Sequence, residues 1–171
     1  MTRSSFILAS LFAAGVAAAP LSGALADSTE MAKNAKVSLV QALEAAEAKS
    51  GGKATEVEFE DDNGGRWEVK VLSAGGDKLT EYYVDPNSGQ VTGEEEQTFE
   101  KYFTMLKPEA FQKASTQLKD AIAAAETAGK GKAIDAEVER DGETVAYEIH
   151  VAGADGTKEV NVDANGKAVL D

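Results

Sequence analysis

The sequence predicts an α+β fold built from two copies of one unit, each made of a helix followed by a three-stranded antiparallel sheet. Three observations lead to this prediction. The chain of 171 residues repeats itself at a spacing of about 79 positions, each copy opens with apolar residues at the 3.6-residue period of a helix, and the period then changes to two. Alternation of apolar and polar residues is typical of an antiparallel sheet with one buried face. An amphipathic helix between the copies completes the predicted architecture.

The repeat runs through every predicted element of the unit. The matched segments are, in order, 38–47 with 117–126, 53–60 with 132–139, 67–71 with 147–151, and 84–89 with 162–166. The length differences between the copies fall at turns rich in glycine and aspartate, where surface loops tolerate them. The sequence therefore divides into one repeat at residues 35–92 and a second at residues 109–171.

Each copy opens with an amphipathic helix. In the first copy Ser38 and Gln41 form a capping box, in which each side chain accepts a hydrogen bond from the other residue's backbone N–H, and Gly51 ends the helix. In the second copy Phe111 extends the apolar face backwards to Pro108, a residue favoured in the first turn, so one longer helix is expected there. The apolar positions of the two faces are Leu39, Ala42, Leu43 and Ala46, and Leu118, Ala121, Ile122 and Ala125.

Three strands are predicted after each helix. Their buried positions are Val57, Phe59, Trp67, Val69 and Val71 in the first copy, and Ala136, Val138, Tyr147, Ile149 and Val151 in the second. A third strand is predicted near residues 79–84 and 158–162. Each of these ends in a turn of Asp, Asn and Gly before a short final segment.

Residues 93–108, between the copies, are predicted to form the connecting helix. Its apolar positions recur at i, i+3, i+4 and i+7 and are Phe99, Tyr102, Phe103 and Leu106. Thr92 and Glu95 resemble a second capping box, and the glutamates at 94–96 complement the dipole of a helix start. We therefore expect an ordered connection between the two repeats.

The first 26 residues have the three-part pattern of a secretory signal peptide. Arg3 supplies a positive charge, residues 6–19 form an apolar run, and small residues end the segment at Ala26. Cleavage is expected between Ala26 and Asp27. A membrane anchor is the alternative, but the apolar run is too short to span a bilayer comfortably. The mature chain is therefore expected to be periplasmic or secreted, with no membrane span.

Composition excludes several classes of function. The chain has 17 Lys and Arg against 30 Asp and Glu, and a net charge of -13 repels the phosphates of nucleic acids. It has no cysteine and one histidine, which excludes thiolate and multi-histidine metal centres. That histidine, His150, is expected on the solvent side of a strand, with Lys70 in its place in the first copy, and no motif positions a nucleophile beside it. We therefore expect no catalytic residues, no metal centre and no cofactor.

The two copies resemble PepSY domains. The resemblance lies in an alanine-rich opening helix, three strands and a closing turn, which are here residues 39–48 with Val84-Asp-Pro-Asn-Ser-Gly-Gln-Val91, and residues 118–127 with Val162-Asp-Ala-Asn-Gly-Lys167. The second turn lacks the Ser or Thr that precedes the glycine in the family. The resemblance implies an α+β fold like that of β-lactamase-inhibitor and cystatin-type inhibitors, and an extracytoplasmic, non-catalytic role. PepSY units also occur in propeptides of secreted metalloproteases, which implies that they restrain peptidases.

Two kinds of binding site are compatible with these residues. Aromatic residues on a sheet usually belong to the core, whereas exposed ones mark a partner surface. The candidates for that surface are Trp67, Tyr82, Tyr83 and Tyr147. Asp85 and Asp163 begin turns that faintly resemble the start of a calcium loop, but the first has Gln90 where that loop needs glycine, and a plain hairpin turn, which uses the same residues, is favoured. The leading hypothesis is an exported protein that binds a protein partner, such as a peptidase that it modulates or inhibits. The alternative is an envelope accessory protein that binds a small ligand or calcium.

Overall fold

The computed structural model describes residues 22–97 and 108–171. Its helices are α1 (Ser22–Asn34), α2 (Leu39–Ser50), α3 (Pro108–Lys113) and α4 (Leu118–Gly129). Its strands are β1 (Lys53–Glu60), β2 (Arg66–Leu72), β3 (Leu79–Val84), β4 (Val91–Gln97), β5 (Gly131–Asp141), β6 (Thr144–Gly153), β7 (Gly156–Val162) and β8 (Ala168–Leu170). A 3₁₀ turn at Asp62–Gly64 joins β1 to β2.

All the strands belong to one antiparallel sheet in the order β4-β3-β2-β1-β5-β6-β7-β8. Helix α2 packs on β1 and β2, and α4 packs on β5, β6 and β7, so that the two helices lie side by side on one face. The core lies between the helices and the sheet. Its largest fully buried side chains include Trp67, Tyr147, Phe111, Leu39, Leu43, Ile122 and Ile149. The α+β class and the duplication predicted from the sequence are confirmed.

Each unit has four strands and not the predicted three. The short final segment of each copy forms an edge strand, since β4 pairs with β3 and β8 pairs with β7. Most side chains of these two strands are exposed, because an edge strand covers little of the core. They consequently lack the alternation of apolar and polar residues by which the inner strands could be recognised.

The predicted connecting helix is wrong over its first residues. Residues 93–97 belong to strand β4, where Gly93 lies opposite Tyr83 and the chain gains a ladder of backbone hydrogen bonds. The Thr92 hydroxyl donates to the Tyr83 carbonyl at 3.2 Å and does not cap a helix. The glutamates at 94–96 lie on the exposed edge, where charge discourages pairing with another chain. Residues 98–107, with the rest of the predicted helix, lie outside the described residues.

The expected long helix of the second copy is divided into α3 and α4. The backbone between them is extended at Gln117, the N-cap of α4, because the Tyr147 hydroxyl donates to the carbonyl of Thr116 and holds it outside a helix. The first copy is built in the same way, since Trp67 Nε1 donates to the Val37 carbonyl at 3.0 Å just before α2. The capping box of α2 is confirmed.

The signal-peptide prediction is only partly within the described structure. Residues 1–21 lie outside it, and the expected cleavage point between Ala26 and Asp27 falls within the backbone of α1. Cleavage at this point therefore stays a prediction.

A local two-fold symmetry relates the two units. Its axis passes between Val57 of β1 and Ala136 of β5, which occupy equivalent positions in the repeat and lie directly opposite each other. Reciprocal contacts follow the same symmetry. Lys53 donates to the carbonyl of Gln112 at 3.2 Å, and its equivalent, Lys132, donates to the carbonyl of Lys33 at 2.9 Å. Each unit thereby holds the helix that precedes the main helix of the other.

The Trp67 anchor can be tested by substitution. Trp67→Phe is expected to lower the free energy of unfolding by about 2 kcal/mol, because it removes buried volume and leaves the Val37 carbonyl without its donor. Urea denaturation followed by circular dichroism measures this change. Tyr83→Phe, on the opposite face of the sheet, is the matched control and should stay within about 0.5 kcal/mol of wild type. Equal stability of wild type and Trp67→Phe would contradict the anchoring role.

Candidate functional site

The face of the sheet that points away from α2 and α4 carries a dense array of carboxylates. We call it the acidic face, and its carboxylates are those of Glu56, Glu58, Glu60, Glu68, Glu81, Glu95, Asp135, Glu137, Glu139, Glu148 and Glu159. They come together because each alternates with a core residue along its strand, and because the two-fold symmetry turns the same face of both units to one side. The acidic face is therefore continuous across the two repeats.

Many of these carboxylates lie directly opposite one another on neighbouring strands. The pairs are Glu58 with Glu68, Glu56 with Glu137, Glu58 with Asp135, Glu137 with Glu148, and Glu81 with Glu95. Cross-strand neighbours have Cβ atoms about 5 Å apart, and like charges in such pairs are destabilising. Partial burial and then the neighbouring Glu56 raise the pKa of Glu58 to about 7. The same two causes raise the pKa of Glu137 to about 7.

Three basic residues lie among the carboxylates of this face. Lys70 Nζ donates to Glu56 Oε1 at 2.6 Å, and Arg66 Nε donates to Glu68 Oε1 at 2.6 Å. The third is His150, as expected on the polar side of β6, with a side chain that is 37% exposed. The two fixed cations, Lys70 and Arg66, are far fewer than the carboxylates, so the face keeps a large negative charge.

The predicted aromatic partner surface is not formed. Trp67, Tyr82 and Tyr147 are buried beneath the helices, because their strand positions alternate with the acidic residues and face the core. Tyr83 alone of the four candidates lies on the acidic face, where it is half-buried under the Arg66 guanidinium at 4.3 Å from the ring centroid. Its hydroxyl donates to Glu95 Oε2 at 3.0 Å, and burial with this carboxylate raises the pKa of Tyr83 to about 12.

A groove of about 560 Å³ opens beside the acidic face, where β1 and β5 separate after their short pairing. Its floor includes the apolar side chains of Phe59 and Ile134. Its charged wall is formed by Glu58, Glu60, Asp61 and Asp135, and α1 closes the other side with Ala32. The equivalent position in the second unit is the fully buried Phe111. The groove thus exists where the first unit has a small residue in place of a phenylalanine.

The acidic turns considered as calcium loops are engaged within their own backbone. Asp85 Oδ1 accepts hydrogen bonds from the N–H groups of Asn87 and Ser88 at 3.0 and 2.7 Å, and from the Ser88 hydroxyl. Asp163 Oδ1 accepts from the N–H groups of Asn165 and Lys167 at 2.8 and 3.0 Å. These bonds lower the pKa of both aspartates. They are the bonds that the hairpin-turn interpretation predicts.

The sequence contains a signal for the acidic face, but the partner surface predicted from the sequence did not include these carboxylates. The alternating glutamates of 56–60 and 135–139 indicate a wet face in each copy. The sequence does not show that β1 pairs with β5, and this pairing joins the two wet faces into one. The groove could not be foreseen, because it depends on Ala32, in a segment that the predicted repeat did not include.

The pKa of Glu58 leads to a test of stability against pH. A carboxyl whose folded pKa is raised from 4.5 to about 7 contributes stability that is complete below about pH 4.5 and is lost as the pH rises through 7. Glu58→Gln should therefore raise the free energy of unfolding by about 0.5–1 kcal/mol at pH 8, and change it little at pH 5. Asp155→Asn, in an exposed turn, is the control and should have no effect at either pH. A destabilised Glu58→Gln at pH 8 would show that repulsion is not the dominant interaction.

Comparison with known proteins gives one structural neighbour and one family. The neighbour is a candidate lipoprotein of Clostridium difficile 630, with 15% sequence identity and a TM-score of 0.48, over 82% of this chain and 96% of the other. A similarity this low carries no argument about function.

None of the helices that the structure describes is long and apolar enough to cross a bilayer.

No curated protein matches the chain. The family match is to PepSY, described as Peptidase propeptide and YPEB domain, and it covers residues 36–95 and 118–171. These two ranges correspond to the two units of the fold. The chain therefore belongs to the PepSY family, as a tandem of two PepSY domains.

Proposed function

We propose that this PepSY tandem is exported to the periplasm or secreted, does no chemistry itself, and binds a basic protein partner on its acidic face. The observation that supports this most strongly is the series of like-charged cross-strand pairs that runs from β2 through β1 and β5 to β6, and so crosses from one unit to the other, with a further pair between β3 and β4. Such pairs lower the stability of the free protein. Features that lower stability without a compensating structural gain are expected at functional sites.

The groove supports a basic side chain as the first point of contact. The methylenes of a lysine or arginine would lie on Phe59 and Ile134, while the charged end would reach Glu58, Glu60 and Asp135. A cation placed among these carboxylates would relieve their mutual repulsion. Binding would then restore stability that the free protein lacks.

The charge of the acidic face also supports rapid, salt-dependent association. Opposite charge on a partner steers the encounter and raises the association rate constant at low ionic strength. Screening shortens the range of this attraction to about 10 Å at 0.1 M salt. The narrower proposal, that the partner is an extracytoplasmic peptidase, is supported by the description of the family as a peptidase propeptide domain.

Affinity capture tests the proposal. The mature chain, residues 27–171, is immobilised and exposed to envelope and secreted fractions of the source cell, with calcium or with a chelator, and retained proteins are identified by mass spectrometry. We expect a stoichiometric basic protein that elutes with salt in both conditions. A retained peptidase would then be assayed for inhibition. Retention only with calcium would favour the alternative of an ion-binding accessory protein.

Charge variants identify the face that binds. Glu58→Gln, Glu60→Gln and Asp135→Asn together should lower the association rate constant about tenfold or more at low salt. The matched control, Asp77→Asn with Glu109→Gln and Asp155→Asn, removes the same number of charges from exposed positions outside the acidic face and should bind like wild type. An equal loss in both triple variants would attribute binding to net charge and contradict a role for the acidic face.

A further inference from the structure

Three side chains of the second unit converge on one point of the acidic face. Glu148 and His150 are two residues apart on β6, so both point to this face, and Glu159 on β7 lies directly opposite His150. One ligand atom of each residue lies within 4.8 Å of those of the other two. All three residues are half-buried, so the cluster is partly shielded from water and still open to an ion.

Neighbouring polar groups lie beside two of these side chains. His150 Nδ1 faces Asp135 Oδ1 on β5 at 3.7 Å, too long for a hydrogen bond, and we take Nε2 as the nitrogen that a ligand would meet. Asn161 Nδ2 donates to Glu159 Oε1 at 3.3 Å. A carboxylate behind the imidazole and an amide behind the carboxylate are the supports that metal ligands commonly receive in proteins.

The equivalent residues of the first unit indicate what kind of ligand the cluster around His150 would bind. The positions equivalent to Asp135, Glu148, His150 and Glu159 are Glu56, Glu68, Lys70 and Glu81. There the centre is filled by the Lys70 ammonium, 2.6 Å from Glu56 Oε1. The second unit has corresponding carboxylates around an imidazole, which stands where the first unit has that fixed cation. The same ring of negative charge is thus left to be balanced by a cation that the chain does not supply.

We propose that Glu148, His150 and Glu159 bind a divalent transition-metal cation, represented by Zn²⁺. One imidazole nitrogen and two carboxylate oxygens are ligands that Zn²⁺ accepts, with water in the fourth position of a tetrahedron. The imidazole selects against Ca²⁺ and Mg²⁺, which take oxygen ligands. The site lies on the acidic face, and His150 also lines the groove, but Zn²⁺ binding is measured on the protein alone and does not require the proposed basic partner.

A second cluster of carboxylates on the acidic face lacks the features of a transition-metal site. Glu58, Glu68 and Glu81 also bring oxygens within 4.8 Å of one another. They offer no nitrogen ligand, and Glu68 already accepts from Arg66 at 2.6 Å. The histidine and the missing fixed cation distinguish the site of the second unit.

The chain allows the site to be observed directly. It contains one histidine and no cysteine, so the imidazole resonances in an NMR spectrum report on a single residue. The exported protein, produced with its own leader and without a polyhistidine tag, is titrated with ZnCl₂ while these resonances and the heat of binding are recorded. We expect one equivalent of Zn²⁺ to shift the Nε2 resonance, and CaCl₂ at the same concentration to leave it unchanged. Zinc binding that leaves the imidazole resonances unshifted would overturn the proposal.

Exchange of the central residue between units provides matched variants. His150→Lys places the fixed cation of the first unit in the second and should abolish the one-equivalent binding while the protein stays folded by circular dichroism. Lys70→His combined with Arg66→Ala, which frees Glu68 from its ion pair, should create a second equivalent site with Glu68 and Glu81 as ligands and Glu56 in the place of Asp135. Asp135→Asn should weaken Zn²⁺ binding about 10- to 100-fold, as loss of a supporting group does. Undiminished binding by His150→Lys would assign the zinc to unspecific carboxylates and overturn the proposal.

Discussion

The pairing of β1 with β5 is the interaction on which the rest of the structure depends. It spans only Glu56–Glu58 and Asp135–Glu137, yet it turns two four-stranded sheets into one. A unit of about 60 residues alone buries a marginal core, whereas the joined sheet supports a common layer of helices. Because equivalent strands pair in antiparallel fashion, the two units must be related by two-fold symmetry. Their polar faces then point to the same side, and the glutamates of each unit are brought against those of the other.

The fold therefore sets hydrophobic burial against electrostatic repulsion within the same strands. On one side, Val57 and Ala136 are fully buried at the symmetry axis. On the other side, partial burial and then the neighbouring carboxylates raise the pKa values of Glu58 and Glu137 to about 7. Burial and the aromatic anchors to the Val37 and Thr116 carbonyls stabilise the assembly. A positively charged ligand bound to the acidic face would relieve the repulsion between its carboxylates and recover the stability that this repulsion costs.

Much of this architecture could be predicted from the sequence, and the failures share one cause. Helix α2, its capping box, the inner strands and the tandem PepSY assignment all follow from local patterns that each segment carries in itself. The edge strands, the division of α3 from α4 and the burial of Tyr82 depend on neighbours that are distant in the chain. The candidate site belongs to this second class. Its residues were visible as alternating glutamates, but their convergence comes from the β1–β5 pairing.

The covalent joining of two symmetric halves has an evolutionary consequence. In a dimer of identical chains every substitution appears twice, so a change that opens a groove or removes a lysine is imposed on both halves at once. In the tandem, each half can carry a different residue at an equivalent position. Ala32 against Phe111 and His150 against Lys70 are differences of this kind. Duplication thus allows a side chain that packs in one half to be absent from the other, and a cation fixed in one half to be an imidazole in the other.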